Sequence, residues 1–389
     1  MSRAAKPHPL TKSDARRIWL KAQRLDARAP FGEGPPAVAD AVAHLGYVQI
    51  DTINVVERCH HHILWTRIPN YRRTDLRQAQ SVDKSIFEYW THALSYVPAK
   101  DFRFFVSDMK LHKREAHKWF PNVQPAETRK VMRLLREGAL TIRDIEDDVL
   151  VEKTHLWASR KPSKRALQLA FFTGAVTISE RNGMLKTYEL MGRHFGWEKP
   201  PNQASNLERS AYLLDRALRS QGVVSLDSTC HLDAPSKKGV ARLIASRVRR
   251  GELVSVAIDG AGKQEHWAAP ETLAMPGERN GDLVHILSPF DPLIIQRKRT
   301  HLVFDYEHLF EAYVPKAKRK LGYFALPVLV GENIVAALDL KTDRQNRELL
   351  MQKWNWVGAG KGARGEAKKA LKRRIEDELH RFERFQLGE

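Results

Sequence analysis

The chain repeats one local pattern, and the repetition limits the folds open to it more than any other feature. In KPSKRALQLAFFTGAVTISERNGMLKTYEL, a basic amphipathic helix over about Ser163 to Phe172 stops at Gly174. A β-branched strand follows, and Asn182-Gly183 turns the chain into a second strand. In PSKKGVARLIASRVRRGELVSVAIDGAGKQEHWA, a basic helix over about Lys238 to Arg250 stops at Gly251. A strand follows, and Asp259-Gly260 leads to a strand ending at Trp267. The interval from helix-stopping glycine to turn glycine is nine residues in both. Glycine accepts the left-handed conformation that ends a helix. Asn-Gly and Asp-Gly between alternating runs are strong hairpin signals.

Each unit follows further helical segments, Ala126–Gly138 and Thr141–Asp147 before the first, Asn206–Ser220 and a piece near Leu226–Leu232 before the second. Three helices followed by a two-stranded wing form the winged version of the helix-turn-helix. Ser13–Leu25 and Pro36–Leu45, with Gly46 leading into a strand, form a third and more divergent copy. The last hundred residues are β-rich and read as a small sheet or barrel, with a hairpin loop at Gly331-Glu332-Asn333. A flexible Gly358–Gly365 hinge then precedes a helix with Leu371, Ile375, Leu379 and Phe382 on one stripe. The predicted class is α+β, with winged-helix modules over 1–122, 123–202 and 203–282, then a β-barrel and terminal helix over 283–389.

Charge says what such modules would meet. The 389 residues hold 65 Lys+Arg against 46 Asp+Glu, a formal net charge of +19. That field recruits polyanions, with nucleic acid as the default partner. No apolar run approaches ~18 residues, so no membrane span is expected, and the basic N-terminus lacks the apolar core of a secretory signal. Cys59 and Cys230 are the only cysteines, which excludes an iron–sulfur cluster and a disulfide framework. These features predict a cytoplasmic, nucleoid-associated protein.

Four basic clusters stand out: Lys161, Lys164 and Arg165; Lys237 and Lys238; Arg297, Lys298 and Arg299; Lys318 and Arg319. One cluster alone is more often a solvated face. Four clusters, two of them on helix starts of winged units, favour phosphate contact. His60-His61-His62 invites a metal, but consecutive helical histidines fan out and no HExxH-type spacing accompanies them, so no metal or cofactor is expected. Glu88 and His92 fall at helical i,i+4 spacing, either as a structural pair or as support for a site. No P-loop, GxGxxG or nucleophile constellation is present. The remaining candidates are Gln49 and Asp51 in VQIDTINVV, read as a strand. On one strand face, their side chains would emerge about 6.5–7 Å apart, a distance that lets a water bond to both. The amide would position that water and the carboxylate would accept its proton. A plain polar strand face is the other reading of three such residues.

VQIDTINVVERCHHHILWTRIPNY, IFEYWTHALSYVPAKDFR, LSPFDPLIIQRKRTHLVFDY and EAYVPKAKRKLGYFALPVLVG together resemble the AlkZ/YcaQ family of bacterial DNA glycosylases, in register from about Leu10 to Trp356. The resemblance implies tandem winged-helix domains in a C-shaped DNA-binding arrangement with a C-terminal β-barrel. It implies excision of N7-alkylated purines and unhooking of nitrogen-mustard-type interstrand crosslinks, the opening step of base excision repair. The family signature, Gln–aliphatic–Asp or Gln–aliphatic–Gln, falls on Gln49-Ile50-Asp51. Its acidic form is similar to the YcaQ-like branch rather than the self-resistance branch. Thr52 and Asn54 would support the pair, with Glu88 and His92 as further candidates. The expected partner is double-stranded DNA carrying alkylated or crosslinked purines, bound by a monomer. The competing reading is a winged-helix regulator or architectural protein without catalysis, and charge alone also admits RNA.

Overall fold

Helices and short sheets alternate along the whole chain, and the punctuation read from glycines marks many of their ends. The structure is a computed structural model that describes residues 6–147, 150–153, 159–274, 281 and 283–388. It divides into two units, one of Met1–Tyr71 with Ser210–Glu389 and the other of Arg72–Arg209.

In the Arg72–Arg209 unit, helix Pro162–Phe172 buries Ala166, Leu167, Ala170 and Phe171 and leaves Lys164 and Gln168 exposed on its other face. Strands Val176–Asn182 and Leu185–Leu190 then pair antiparallel, from Val176 opposite Leu190 to Asn182 opposite Leu185. Strand Leu140–Thr141 pairs with the other edge of Leu185–Leu190. Helix Pro125–Glu137 precedes this sheet. The predicted helix at Thr141–Asp147 is a single 3-10 turn, Ile142–Asp144, because its ends satisfy each other at once. Arg143 N donates to Thr141 Oγ1 at 3.1 Å, and Thr141 N donates to Asp144 Oδ2 at 2.7 Å.

EYWTHA departs from its helical reading. Ile86–Trp90 and Leu94–Pro98 are antiparallel strands with Glu88 opposite Tyr96, and His92 sits in the turn between them. Ile86, Phe87, Glu88 and Tyr89 are all buried, so the strand shows no alternation to read. Both Glu88 oxygens are engaged inside this unit. Arg181 Nε meets one, Arg181 Nη2 meets the other at 2.7 Å, and Gln80 Nε2 adds a bond at 3.1 Å. A bidentate, fully buried pair of this kind is structural.

In the other unit, helix Lys12–Ala22 starts at Thr11, whose hydroxyl accepts Asp14 N at 3.1 Å. Helix Lys237–Arg249 leads to strand Val254–Ile258, which pairs antiparallel with His266–Ala268. His8–Leu10 adds to this sheet in parallel with Val256–Ile258, a pairing across the chain that no local pattern announces. The C-terminal strands form an antiparallel meander in the order Val284–Ile286, Ala325–Val330, Asn333–Asp343, Glu348–Trp356. Val330 lies opposite Asn333, so Gly331-Glu332 is a two-residue loop. The sheet is open among the described residues, unlike the expected barrel, and the terminal helix Gly365–Leu387 packs against both outer strands. Its inner stripe is Ile375, Glu378, Phe382 and Gln386, with Leu371 and Leu379 half-buried. The expected hinge is instead a close-packed turn. A Cβ on Gly360 would fall 2.1 Å from Val335 O, and Val357 N donates to Val335 O at 2.9 Å.

Candidate active site

The segment that carries Gln49 and Asp51 is placed from behind by glycine. Helix Gly34–Leu45 ends at Gly46, whose φ of 82° is left-handed and whose amide donates to Val42 O. A Cβ there would lie 2.3 Å from Arg216 Cδ, so a side chain would also displace Arg216, but it is the left-handed backbone that requires glycine. The chain then enters a strand of only two residues, Val48–Gln49. Val48 and Ile50 are buried, as apolar residues of an alternation should be, but Gln49 is buried too, at 6% exposure. Asp51 lies beyond the strand and half-buried, so a shared pleat does not set the spacing of the pair. Both residues instead meet Cys59. Cys59 Sγ donates to Gln49 O at 3.0 Å, and the Asp51 charge, after burial, helps hold the thiol well above its ordinary pKa. The thiol therefore stays protonated and is no nucleophile.

Among the described residues, Asp51 is held by backbone amides rather than by an ion-pair partner. Burial raises its carboxyl pKa, and the groups that partly offset the rise are the backbone amides of Ile53 and Thr52. Ile53 N donates to Asp51 Oδ1 at 2.7 Å. A carboxylate stabilised by amides rather than by a cation keeps its field available for a positive partner.

The loop from Asp51 to Arg58 has no regular structure, yet it is tied at several points. Arg344 Nη2 donates to Asn54 Oδ1 at 2.8 Å and to Val56 O at 3.0 Å. Thr342 N donates to Val55 O at 2.9 Å, and its hydroxyl stands 3.1 Å from Val56 O and 2.7 Å from Gln386 Oε1. Gln386 Nε2 donates to buried Glu57 Oε2 at 2.7 Å. The end of the long C-terminal strand and the last turn of the terminal helix thus hold the loop, from about 290 residues away in sequence for Arg344. Nothing local in the sequence marks Thr342, Arg344, Glu57 or Gln386, which is why only Asn54 among these contacts was a candidate. Thr52 is exposed beside the carboxylate.

The histidines after the loop are scaffold. They open helix Cys59–Trp65, and His61 Nδ1 lies 2.7 Å from Tyr71 Oη while His62 Nε2 lies 2.8 Å from Ile286 O. Burial lowers the His62 pKa to about 4, so the ring is neutral and donates to that carbonyl. Its face stacks on Phe382 at 4.5 Å, which fixes the terminal helix against this one. Two residues after the helix, Arg67 makes a fully buried bidentate pair with Asp291 at 2.7 and 3.0 Å.

The basic candidates separate into exposed and engaged groups, and the exposed Arg297 guanidinium lies 6.0 Å from the Phe310 ring centroid. Lys238, Arg297, Lys298 and Lys318 are exposed. Lys237 pairs with Asp227 at 2.5 Å, and Lys161 Nζ lies 3.5 Å from the carbonyls of Ile142 and Ile145. Arg165 donates to the carbonyls of Ser159 and Glu152, and Arg319 donates to Val314 O at 2.7 Å. Arg299 departs furthest from the expected phosphate contact. Its guanidinium donates to Gln221 Oε1, Ser228 Oγ and the carbonyls of Gln221 and Val223, and it stacks 4.2 Å from the centroid of a Trp19 ring. Glu88 belongs to its buried pair with Arg181, and His92 lies beside Thr91 in the hairpin turn.

No described helix is long and apolar enough to cross a membrane. Among solved structures, the DNA glycosylase AlkZ of Streptomyces sahachiroi shares the fold, with a TM-score of 0.62 over 97% of each chain at 15% identity. The family model described as DNA glycosylase AlkZ-like matches residues 42–385. That span takes in Gly46, the Gln49–Asp51 segment, its loop and most of the terminal helix that steadies it, and the chain belongs to the AlkZ-like DNA glycosylase family.

Proposed function

We propose that this DNA glycosylase hydrolyses the N-glycosidic bond of N7-alkylated purines and unhooks interstrand crosslinks of the nitrogen-mustard kind, with Gln49 and Asp51 as its catalytic pair. The observation that carries the reading is the half-buried Asp51 carboxylate, raised in pKa by burial and set in a loop tied by Arg344, Thr342 and Gln386. An N7-alkylguanine already bears a positive charge, so its departure needs little acid help and leaves an oxocarbenium-like sugar. Asp51 stabilises that cation and takes a proton from the attacking water, while Gln49 orients the water. Burial makes the carboxylate a better base than an exposed aspartate. Thr52 and Asn54 support the pair. The carboxylate mechanism needs no amine nucleophile, which favours a monofunctional enzyme. A crosslinked base is tethered to the other strand, so full extrusion into a snug pocket is not required of this site.

The basic helices Pro162–Phe172 and Lys237–Arg249, each followed by a hairpin, act in this reading as winged-helix modules on duplex DNA. The exposed Lys164, Lys238, Arg297, Lys298 and Lys318 supply phosphate contacts, and Lys161, Lys237 and Arg319 contribute to the positive field around them. The test is release of 7-methylguanine from methylated duplex, together with unhooking of a nitrogen-mustard crosslink. The expected product is an abasic site without strand cleavage; a chain that binds the duplex and frees no base refutes the substrate assignment.

A further inference from the structure

The Arg72–Arg209 unit contains a cavity of about 630 Å³, and none of its lining comes from the Gln49–Asp51 loop. This size lies within the range of small-ligand sites, about 300–1,000 Å³. One side is aromatic. Phe172 has the rings of Trp90 at 5.9 Å, Phe120 at 5.7 Å and His112 at 5.0 Å, and Trp119 stands 5.5 Å from His112. Trp90 and Trp119 are 46% and 58% exposed, an unusual position for the largest apolar side chains unless something stacks on them.

Cationic groups line the same cavity. Lys186 extends from strand Leu185–Leu190 with its ammonium 5.7 Å from the Phe171 ring centroid. Lys164 lies in the first turn of the eleven-residue helix Pro162–Phe172, whose first-turn Ser163 N already donates to the Asp147 carboxylate at 3.1 Å, so the cavity's pull on an anion comes from the ammonium itself. Among the described residues, neither ammonium has a hydrogen-bond acceptor or ion-pair partner. Their basic neighbours do: Arg181 is bound to Glu88, and Arg165 to the carbonyls of Ser159 and Glu152. Burial, with the repulsion of Arg181 and Lys164, lowers the Lys186 pKa to about 8 against the attraction of Glu88. Gln168, one turn beyond Lys164, also lines the cavity and offers an amide that can both donate and accept.

A cluster of tilted aromatic rings beside two ammonium groups matches a base joined to a phosphate. We propose that this cavity binds an unpaired nucleotide, its base stacked among Trp90, Trp119 and Phe172 and its phosphate held by Lys164 and Lys186. The proposal needs nothing from Asp51, so it stands or falls separately from the glycosylase chemistry.

The test uses the full chain, a fluorescein-labelled thymidine oligonucleotide of about twelve residues, and fluorescence polarisation at fixed salt. Trp119→Ala removes an exposed ring, Lys186→Gln removes the half-buried charge, and Lys110→Gln, at an exposed position on helix Val106–Arg114, controls for the loss of any one charge. Trp119→Ala and Lys186→Gln are each expected to weaken binding about ten-fold, the range for one stacked base, and Lys110→Gln less than about two-fold. Competition by free thymidine monophosphate that Trp119→Ala abolishes identifies a single nucleotide as the occupant. Trp119-dependent oligonucleotide binding without that competition identifies a nucleotide within a strand. Equal affinity for Trp119→Ala and Lys110→Gln overturns the proposal, as does a loss confined to Lys186→Gln, which would be charge alone.

Discussion

Gln386→Leu tests whether the terminal helix holds the loop from Asp51 to Arg58. The side chain is 8% exposed and joins Thr342 Oγ1 to Glu57 Oε2 through two bonds of 2.7 Å. Leucine keeps most of the volume and removes both. The bond to Glu57 involves a buried carboxylate, and losing one such charge-assisted bond costs about 1.5–3 kcal/mol. The loop from Asp51 to Glu57 has no helix or strand to absorb that cost, so most of it should appear as disorder around Asp51. At about 1.4 kcal/mol per factor of ten, the single-turnover rate should fall about 10- to 100-fold. The assay is release of 7-methylguanine with enzyme in excess, beside duplex affinity by polarisation and a melting curve. DNA affinity should stay within about two-fold, because Gln386 is buried and makes no phosphate contact. A rate equal to wild type with the Gln386 bonds removed would refute the idea that the helix positions the loop.

Other perturbations follow from the same geometry. Because burial raises the Asp51 pKa, the proposed role of its carboxylate predicts an acid limb of the rate profile above 3.8, the ordinary aspartate value; a limb at or below that value contradicts the burial argument. The stability sign is opposite: a raised folded-state pKa means that ionised Asp51 opposes folding and that its favourable contribution is lost as pH rises through that pKa. Glu88→Gln weakens the buried pair with Arg181, and breaking a buried pair costs about 3–5 kcal/mol at most. Its release rate, normalised to the folded fraction from circular dichroism, should match wild type, whereas a true supporting residue would lower it. Lys238→Ala should reduce the slope of log affinity against log salt by about one, while Arg299→Ala should lower the melting temperature and leave that slope unchanged.

Features with local causes were legible in the sequence. Asn182-Gly183, Gly46 and the Gly331-Glu332 loop act through the backbone conformations their own residues allow, and the helices at Pro162–Phe172 and Lys237–Arg249 through their own periodicity. What was hidden depends on distant partners. The strand at Val48 stops after Gln49, and the loop that follows takes its shape from Thr342, Arg344 and Gln386. Glu88 seemed to share a helical face with His92 because spacing cannot show that a strand is buried on both sides. Arg299 resembled its neighbours Arg297 and Lys298, and only the fold turns it toward Trp19 and the carbonyls of Gln221 and Val223.

The central claim is that Asp51 performs the chemistry and does not merely bind DNA. Asp51→Asn keeps the shape and an acceptor for Ile53 N while removing the charge, and by the sign argued above it should melt no lower than wild type at neutral pH. The decisive measurement is single-turnover release of 7-methylguanine from methylated duplex by this variant beside wild type, at saturating enzyme. The account predicts a loss of at least about a hundred-fold with duplex affinity nearly unchanged. Equal release by the two proteins would contradict it.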